Sequence, residues 1–158
     1  MNNDFLDPVI SIGTLAKKVG LSVSAIRKYE EEGLIISHRS DSGHRLFSYE
    51  DIERLRTIQH LIKNLGFNIE GIRRMEAILP CWDLPSCNEE IRDICLAFKG
   101  STKPCWMIKD AHCTLRGNEC RKCAVYRFGT LYIERIKELV HNSDGNKQRV
   151  TINKALGN

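Results

Sequence analysis

The chain has 158 residues, 42% of them hydrophobic and 28% charged, with a formal net charge of +4 and seven cysteines. That apolar content is enough for the core of one domain or two small ones, so a soluble, folded protein is expected. No apolar stretch approaches the roughly 18 to 20 residues of a membrane span, and "MNNDFLDPVIS" lacks the basic start and apolar middle of a secretion signal, so the expected location is the cytoplasm, with no membrane partner.

Seven thiols in a reducing compartment are poor disulfide material, and an odd number leaves one unpaired in any all-disulfide scheme. Metal ligation or redox chemistry is the better reading. Residues 1–79 carry 11 Lys and Arg against 11 Asp and Glu, whereas residues 80–158 carry 13 against 9. A nucleic-acid role for the first half must therefore rest on where its cations sit.

From Ser11, "SIGTLAKKVGLSVSAIRKYEEEGLI" reads as helix, turn, helix. Ile12, Leu15, Ala16 and Val19 recur at helical spacing, Gly20 ends the first helix, and Ser22 is placed to cap the second. In the second helix Val23, Ile26 and Tyr29 turn inward, which leaves Ser24, Arg27 and Lys28 outward. Such a pair has the form of a helix-turn-helix, whose second helix enters the major groove, although two amphipathic helices also pack as plain core.

The next segment, "LIISHRSDSGHRLFSYEDIERL", runs through a Ser/Asp/Gly turn at Asp41 to Gly43 and returns through Arg45 to Phe47, the pattern of a β-hairpin. Arg39, His44 and Arg45 sit on or beside its tip. A helix-turn-helix followed by a basic hairpin is a winged helix, in which hairpin cations grip phosphates flanking the groove. Ser48 with Asp51 three residues on is a capping-box variant, opening a helix with Ile52, Leu55, Ile58, Ile62 and Leu65 as its apolar stripe. After Gly66, "NIEGIRRMEAIL" predicts a shorter helix with Ile69, Ile72, Met75 and Leu79 inward and Arg73 and Arg74 on a solvated face.

The segments "SVSAIRKYEEEGLI" and "RSDSGHRLFSYEDIERL" resemble the N-terminal DNA-binding domain of the MerR family of bacterial transcription regulators. The likeness covers about residues 10–79. It is carried by Arg27, Tyr29 and Glu30 of the second helix, Gly33 and Leu34 after it, and Gly43, Arg45 and Phe47 of the wing. Where the family often has a second tyrosine this chain has Lys28, and its wing aromatic is Phe47 where Tyr is common; each departure bears on a phosphate contact. The resemblance implies that Arg27, Tyr29 and Arg45 hold the DNA backbone, with Ser24 and Lys28 nearest the base edges. By spacing alone Tyr29 reads equally as a core residue that exposes only its hydroxyl. The resemblance further implies a homodimer on a double-stranded promoter operator, acting on RNA polymerase by distorting the DNA between two promoter elements.

In that family a long dimerisation helix usually follows the winged domain. Here Pro80 intervenes, and Pro, Gly and Cys recur too often for an uninterrupted helix. "NEEIRDICLAF" predicts a short helix capped by Asn88 and burying Ile91, Ile94 and Phe98. A second helix is predicted over about 125–140, where Val125, Phe128, Tyr132, Ile136 and Leu139 form either core or a dimer seam. Residues 142–158 read as a flexible polar tail.

All seven cysteines lie between Cys81 and Cys123. Pro-Cys-Trp occurs twice, at Pro80 and Pro104, placing a thiol beside a large aromatic each time. The second copy leads through Cys105 and Cys113 to the CxxC of Cys120 and Cys123, with gaps short enough to close a four-thiolate site. Seven cations between Lys99 and Arg127, against Asp110 and Glu119, are expected to lower the thiol pKa values and favour thiolates. Zinc and an iron-sulfur cluster suit this spacing alike, and buried cysteines acting as small hydrophobes are the plainer alternative. Cys81, Cys87 and Cys95 form a possible second metal group. The segment also resembles Cys-Trp modules of anaerobic bacteria.

The expected fold is mainly α: a winged helix-turn-helix over 10–79, a small cysteine-rich helical metal or iron-sulfur sensor module over 80–141, and the tail. The expected function is a DNA-binding transcription regulator, not an enzyme, that answers to redox state or a metal. A purely structural zinc site is the alternative. A small iron-sulfur electron carrier or metalloenzyme is a more distant one, since no catalytic triad, P-loop or dinucleotide signature occurs.

Overall fold

A computed structural model describes residues 5–79, 81, 87–109, 111, 113 and 117–134, without the side chains of 117–119 and 134. Ile136, Leu139, Trp82, Arg116, Asp110 and the polar tail, all of which carry expectations above, lie outside it. The described chain runs β1 (Ile10–Ser11), α1 (Ile12–Val19), α2 (Val23–Glu31), β2 (His38–Arg39), β3 (Arg45–Phe47), α3 (Tyr49–Lys63), α4 (Ile69–Ala77), α5 (Glu89–Ile94), 3-10 turns at Cys105–Met107 and Gly117–Lys122, and α6 (Ala124–Glu134). The fold is mainly helical with one small sheet. No helix among the described residues is long and apolar enough to cross a membrane.

Side-chain caps start the helices where the sequence places them. Ser22 accepts from the Ala25 backbone, Ser48 and Asp51 close a reciprocal capping box, and Asn88 accepts from Ile91. Gly20, at φ 67°, ends α1 in the left-handed conformation that a β-carbon disfavours. The hairpin forms as predicted, but β3 is its central strand: it pairs antiparallel with β2 on one side and with β1 on the other, Ile10 opposite Phe47. Two residues are too few for β1 to show a period of its own.

Leu15, Ile26, Leu34, Ile35, Phe47, Leu55, Ile58, Leu61 and Ile72 form the core under α1 to α4. Phe47 is completely buried, so the exchange of Tyr for Phe at this wing position concerns packing and not a phosphate contact. Leu65 is 50% exposed instead of inward, because α3 stops at Lys63 and Leu61 takes the inner place. α5 also differs from expectation: Ile94 and Phe98 are 56% and 39% exposed, and Cys95 is the buried residue. With only six residues, α5 offers too short a face to hold its whole stripe inward.

The described part of α6 packs on α3 and α4, and Ile133 joins their core. Over 124–134 the apolar stripe is therefore core. Arg73 is not simply solvated: it bridges Glu32 at the end of α2, at 2.7 Å, to Glu70, while Arg74 remains exposed and pairs with Glu70.

Candidate nucleic-acid interface and thiol centre

Ser24, Arg27 and Lys28 are exposed on α2, as its inward spacing requires, and Tyr29 is half-buried against the core, where burial pushes its phenol pKa up. Arg39 and His44 are exposed on the wing, and Arg45 is half-buried. One carboxylate joins the two surfaces. Glu30 of α2 accepts from Arg45 Nε at 2.5 Å and from the Ser37 hydroxyl, and lies 3.8 Å from Arg39. The wing is thus tied to the helix beside it. Arg45 uses one of its five donors in doing so.

Beneath this surface lies a network that spacing did not reveal. Arg54 of α3 is 4% exposed. Its Nε donates to the Leu34 carbonyl at 2.7 Å, Nη1 to the Tyr126 carbonyl at 2.5 Å, and Nη2 to Glu76 Oε1 at 2.6 Å. Burial opposes the Arg54 charge, and the adjacent Glu76 carboxylate more than offsets it, holding the guanidinium above its ordinary pKa. The cation lies 4.1 Å from the Tyr126 ring centre and 5.7 Å from that of Trp106, and the two rings meet edge to face.

Both aromatic residues reach back to the segment between α2 and β2. Trp106 Nε1–H donates to the Gly33 carbonyl at 2.7 Å, and the Ile36 N–H donates to the Tyr126 hydroxyl at 2.8 Å. Gly33 sits at φ 75°, and a β-carbon there would overlap the Met107 side chain. On the other stem of the wing, the first turn of α3 is held from the same side: Arg127 brackets Glu50 at 2.9 and 3.0 Å, and Arg121 approaches Asp51 at 3.4 Å. The sequence marked Trp106 through the repeated Pro-Cys-Trp, Gly33 and Asp51 through their local motifs, and Arg121 and Arg127 as cations near the thiols, but it marked none of them as partners of one another.

The thiols lie directly behind these contacts. Cys105 begins the 3-10 turn after buried Pro104, Cys120 is in the second 3-10 turn, and Cys123 precedes α6. Together with Cys113 they line a cavity of about 260 Å³ walled by Trp106 and Tyr126. The other three cysteines are drawn to the same region: Cys81 feels Cys87, Cys95, Cys113 and Cys123, and Cys87 feels Cys95 and Cys113. All seven are thiols, not disulfides.

The expectation of lowered thiol pKa values is overturned. Burial pushes Cys81 up to about 11, with neighbouring thiols acting in the same direction, and burial likewise raises Cys87, Cys105 and Cys123. Against burial, Arg92 acts at Cys87 and the Val125 and Tyr126 N–H groups act at Cys123. Desolvation outweighs these opposing influences. Two of the expected cations, Arg121 and Arg127, face the carboxylates of α3. Among the described residues no group of three or more His, Cys, Asp or Glu side chains is arranged to hold a metal ion.

A family model described as "MerR HTH family regulatory protein" matches residues 10–77. The nodulation protein NolA of Bradyrhizobium sp. (strain NC92) is 42% identical over 64 residues, which are 40% of this chain and 27% of that protein. The regulator HmrR of Rhizobium leguminosarum bv. viciae is 33% identical over 85 residues, 54% of this chain and 64% of that protein. A probable heavy metal-dependent transcriptional regulator of Haemophilus influenzae is 43% identical over 70 residues, 44% of this chain and 54% of that protein. The chain spans about a quarter to just under two thirds of the length of these relatives, and its cysteines lie beyond the family match.

Proposed function

Residues 10–77 are a MerR-family helix-turn-helix domain, of a family of regulators and not of enzymes, and from that premise we propose that the chain controls a promoter through a cysteine-ligated centre answering to redox state or a metal. The observation that carries this reading is the grip of the thiol region on both stems of the wing: Trp106 and Tyr126 bond Gly33 and Ile36 before it, and Arg121 and Arg127 bond Asp51 and Glu50 after it. A change of ligation at Cys105, Cys120 or Cys123 moves the residues that make those bonds. The wing and α2, joined through Glu30, then move with them.

On DNA, Ser24 and Lys28 face base edges, and Arg27, Tyr29, Arg45, Arg39 and His44 face phosphates. The regulator acts as a homodimer on a two-fold operator, presenting the promoter to RNA polymerase. Because such a switch works on DNA shape, both states bind the operator with similar affinity while differing in transcription. One relative named as heavy metal-dependent supports a metal signal, and the concentration of seven cysteines between Cys81 and Cys123 suits a redox signal as well. A domain boundary falls near residue 80, with α6 folded back across it.

Transcription in vitro from the operator is compared for reduced, oxidised and metal-free protein. A large difference between states at nearly constant affinity is expected, and Cys120→Ala with Cys123→Ala should lock one state. If the double variant stays folded and responds as before, the thiols are not the sensor. If it unfolds while the metal-free wild type stays folded and responds normally, they serve the fold alone.

A further inference from the structure

We infer that Glu30 is a positioning residue for DNA binding: it holds the two arginines of the wing, Arg39 and Arg45, ready for a backbone phosphate of duplex DNA. This rests on the DNA-binding reading above and names the group that sets its wing contact. Arg39 and Arg45 stand directly opposite each other in the β2–β3 pairing, so their side chains leave the hairpin on the same face. Two like charges in that position repel, and the hairpin needs an anion beside them.

That anion is Glu30 of α2. Its two carboxylate oxygens have separate partners: Oε2 accepts from Arg45 Nε at 2.5 Å, while Oε1 accepts from the Ser37 hydroxyl and lies 3.8 Å from Arg39 Nη2. Arg39 Nη1 in turn donates to the Gly43 carbonyl at 3.3 Å, which ties the turn of the wing to the same group. The Glu30 side chain is 18% exposed, against 30% for Arg45 and 51% for Arg39. The cations thus stand outside the anion that orders them.

Arg45 bonds Glu30 through Nε, on the stem side of the guanidinium. The outer edge, formed by Nη1 and Nη2, is left to take two oxygens of a phosphate. An arginine fixed in this way before binding gives up less rotamer freedom when it meets DNA. Charge alone predicts the reverse: an anion beside a phosphate contact repels DNA, and its removal tightens binding. The sign of the effect therefore separates positioning from simple competition.

Binding of the full chain to a DNA duplex selected by the wild type from a random pool is measured for Glu30→Ala, Glu30→Gln, Arg45→Ala and the Glu30→Ala, Arg45→Ala double variant. In parallel, NMR follows exchange of the Arg45 Nε–H with water in the free protein. Glu30→Ala should weaken binding several-fold and leave the Nε–H unprotected, whereas Glu30→Gln keeps an acceptor oxygen for Arg45 and should recover most of both. In the Arg45→Ala background, Glu30→Ala should cost little more. Tighter binding by Glu30→Ala, or an equal loss in the Arg45→Ala background, overturns the positioning role. An Arg45 Nε–H that is unprotected in the wild type overturns it without any DNA. A chain that protects this Nε–H through Glu30 yet selects no duplex from the pool refutes the DNA-binding reading and leaves the tie between helix and wing standing.

Discussion

The indole N–H of Trp106 donates to the carbonyl oxygen of Gly33 at 2.7 Å, joining residues 73 apart in the chain. One end of this bond belongs to the turn that bears Cys105. The other is the residue from which the chain leaves the recognition helix for the wing. Trp106→Phe keeps most of the ring and removes the donor, which should cost about 1 kcal/mol, measured by urea denaturation. The same variant should weaken the transcriptional difference between states more than it weakens DNA binding. A variant that switched like the wild type would place the coupling elsewhere.

At Gly33 itself, two separate costs are expected from a β-carbon. Gly33→Ala meets both the positive φ and the Met107 side chain, and should destabilise by roughly 2 kcal/mol. In a Met107→Ala background the overlap disappears and only the backbone strain of about 1 kcal/mol remains. Equal costs in the two backgrounds would show that Met107 does not press on this turn in solution.

Arg54 offers three donors to three separate acceptors, and only one of those acceptors is charged. Glu76→Gln should cost on the order of 3 kcal/mol, because it leaves a buried guanidinium without its counter-charge. Arg54→Lys keeps the charge but lacks the planar fork, so it should also destabilise, by about 2 kcal/mol. Thermal denaturation of the two variants tests this, and a wild-type melting temperature for Arg54→Lys would count against the geometry.

For DNA, Arg45→Ala should weaken binding to all sequences alike and lower the salt slope by about one unit. Lys28→Ala should instead alter base preference. Binding isotherms at several salt concentrations on operator and random duplexes distinguish the two, and an unchanged salt slope for Arg45→Ala would remove it from the phosphate contacts.

Burial holds the Tyr126 phenol above its ordinary pKa of 10.0, with the Arg54 charge opposing. In the unfolded chain the phenol loses its proton first as pH rises. Its contribution is therefore complete below about pH 10 and is lost above it, at up to about 1.4 kcal/mol per pH unit. Tyr126→Phe should be less stable near neutrality by about 1 kcal/mol, through loss of the Ile36 bond, yet decline less steeply between pH 10 and 11. Parallel slopes would mean that the phenol is not desolvated in the folded state.

Most of the first half was legible because its signals are local. Ser22, the Ser48 and Asp51 box, Gly20 and the Asp41 to Gly43 turn each act over three or four residues, and the helical stripes repeat at the same range. Where a stripe met a helix end the reading failed: Leu65 and Ile94 have the right spacing but no helix or partner to bury them. In the second half, the cluster of thiols was visible from composition, and Asn88 from its capping position.

What the sequence by itself determined, then, is which segments become helix or hairpin, which family the first half belongs to, and that the thiols are concentrated. Tertiary structure alone decided that α6 folds back on α3 and α4, that Arg54 and Glu76 are buried together, and that the thiol region grips both stems of the wing. Those contacts join residues from 22 to 90 apart. A charged residue within an apolar stripe carries no mark of its future partner. Its burial becomes tolerable only once the counter-charge, the carbonyls and the aromatic faces have been brought around it by the packing of other elements.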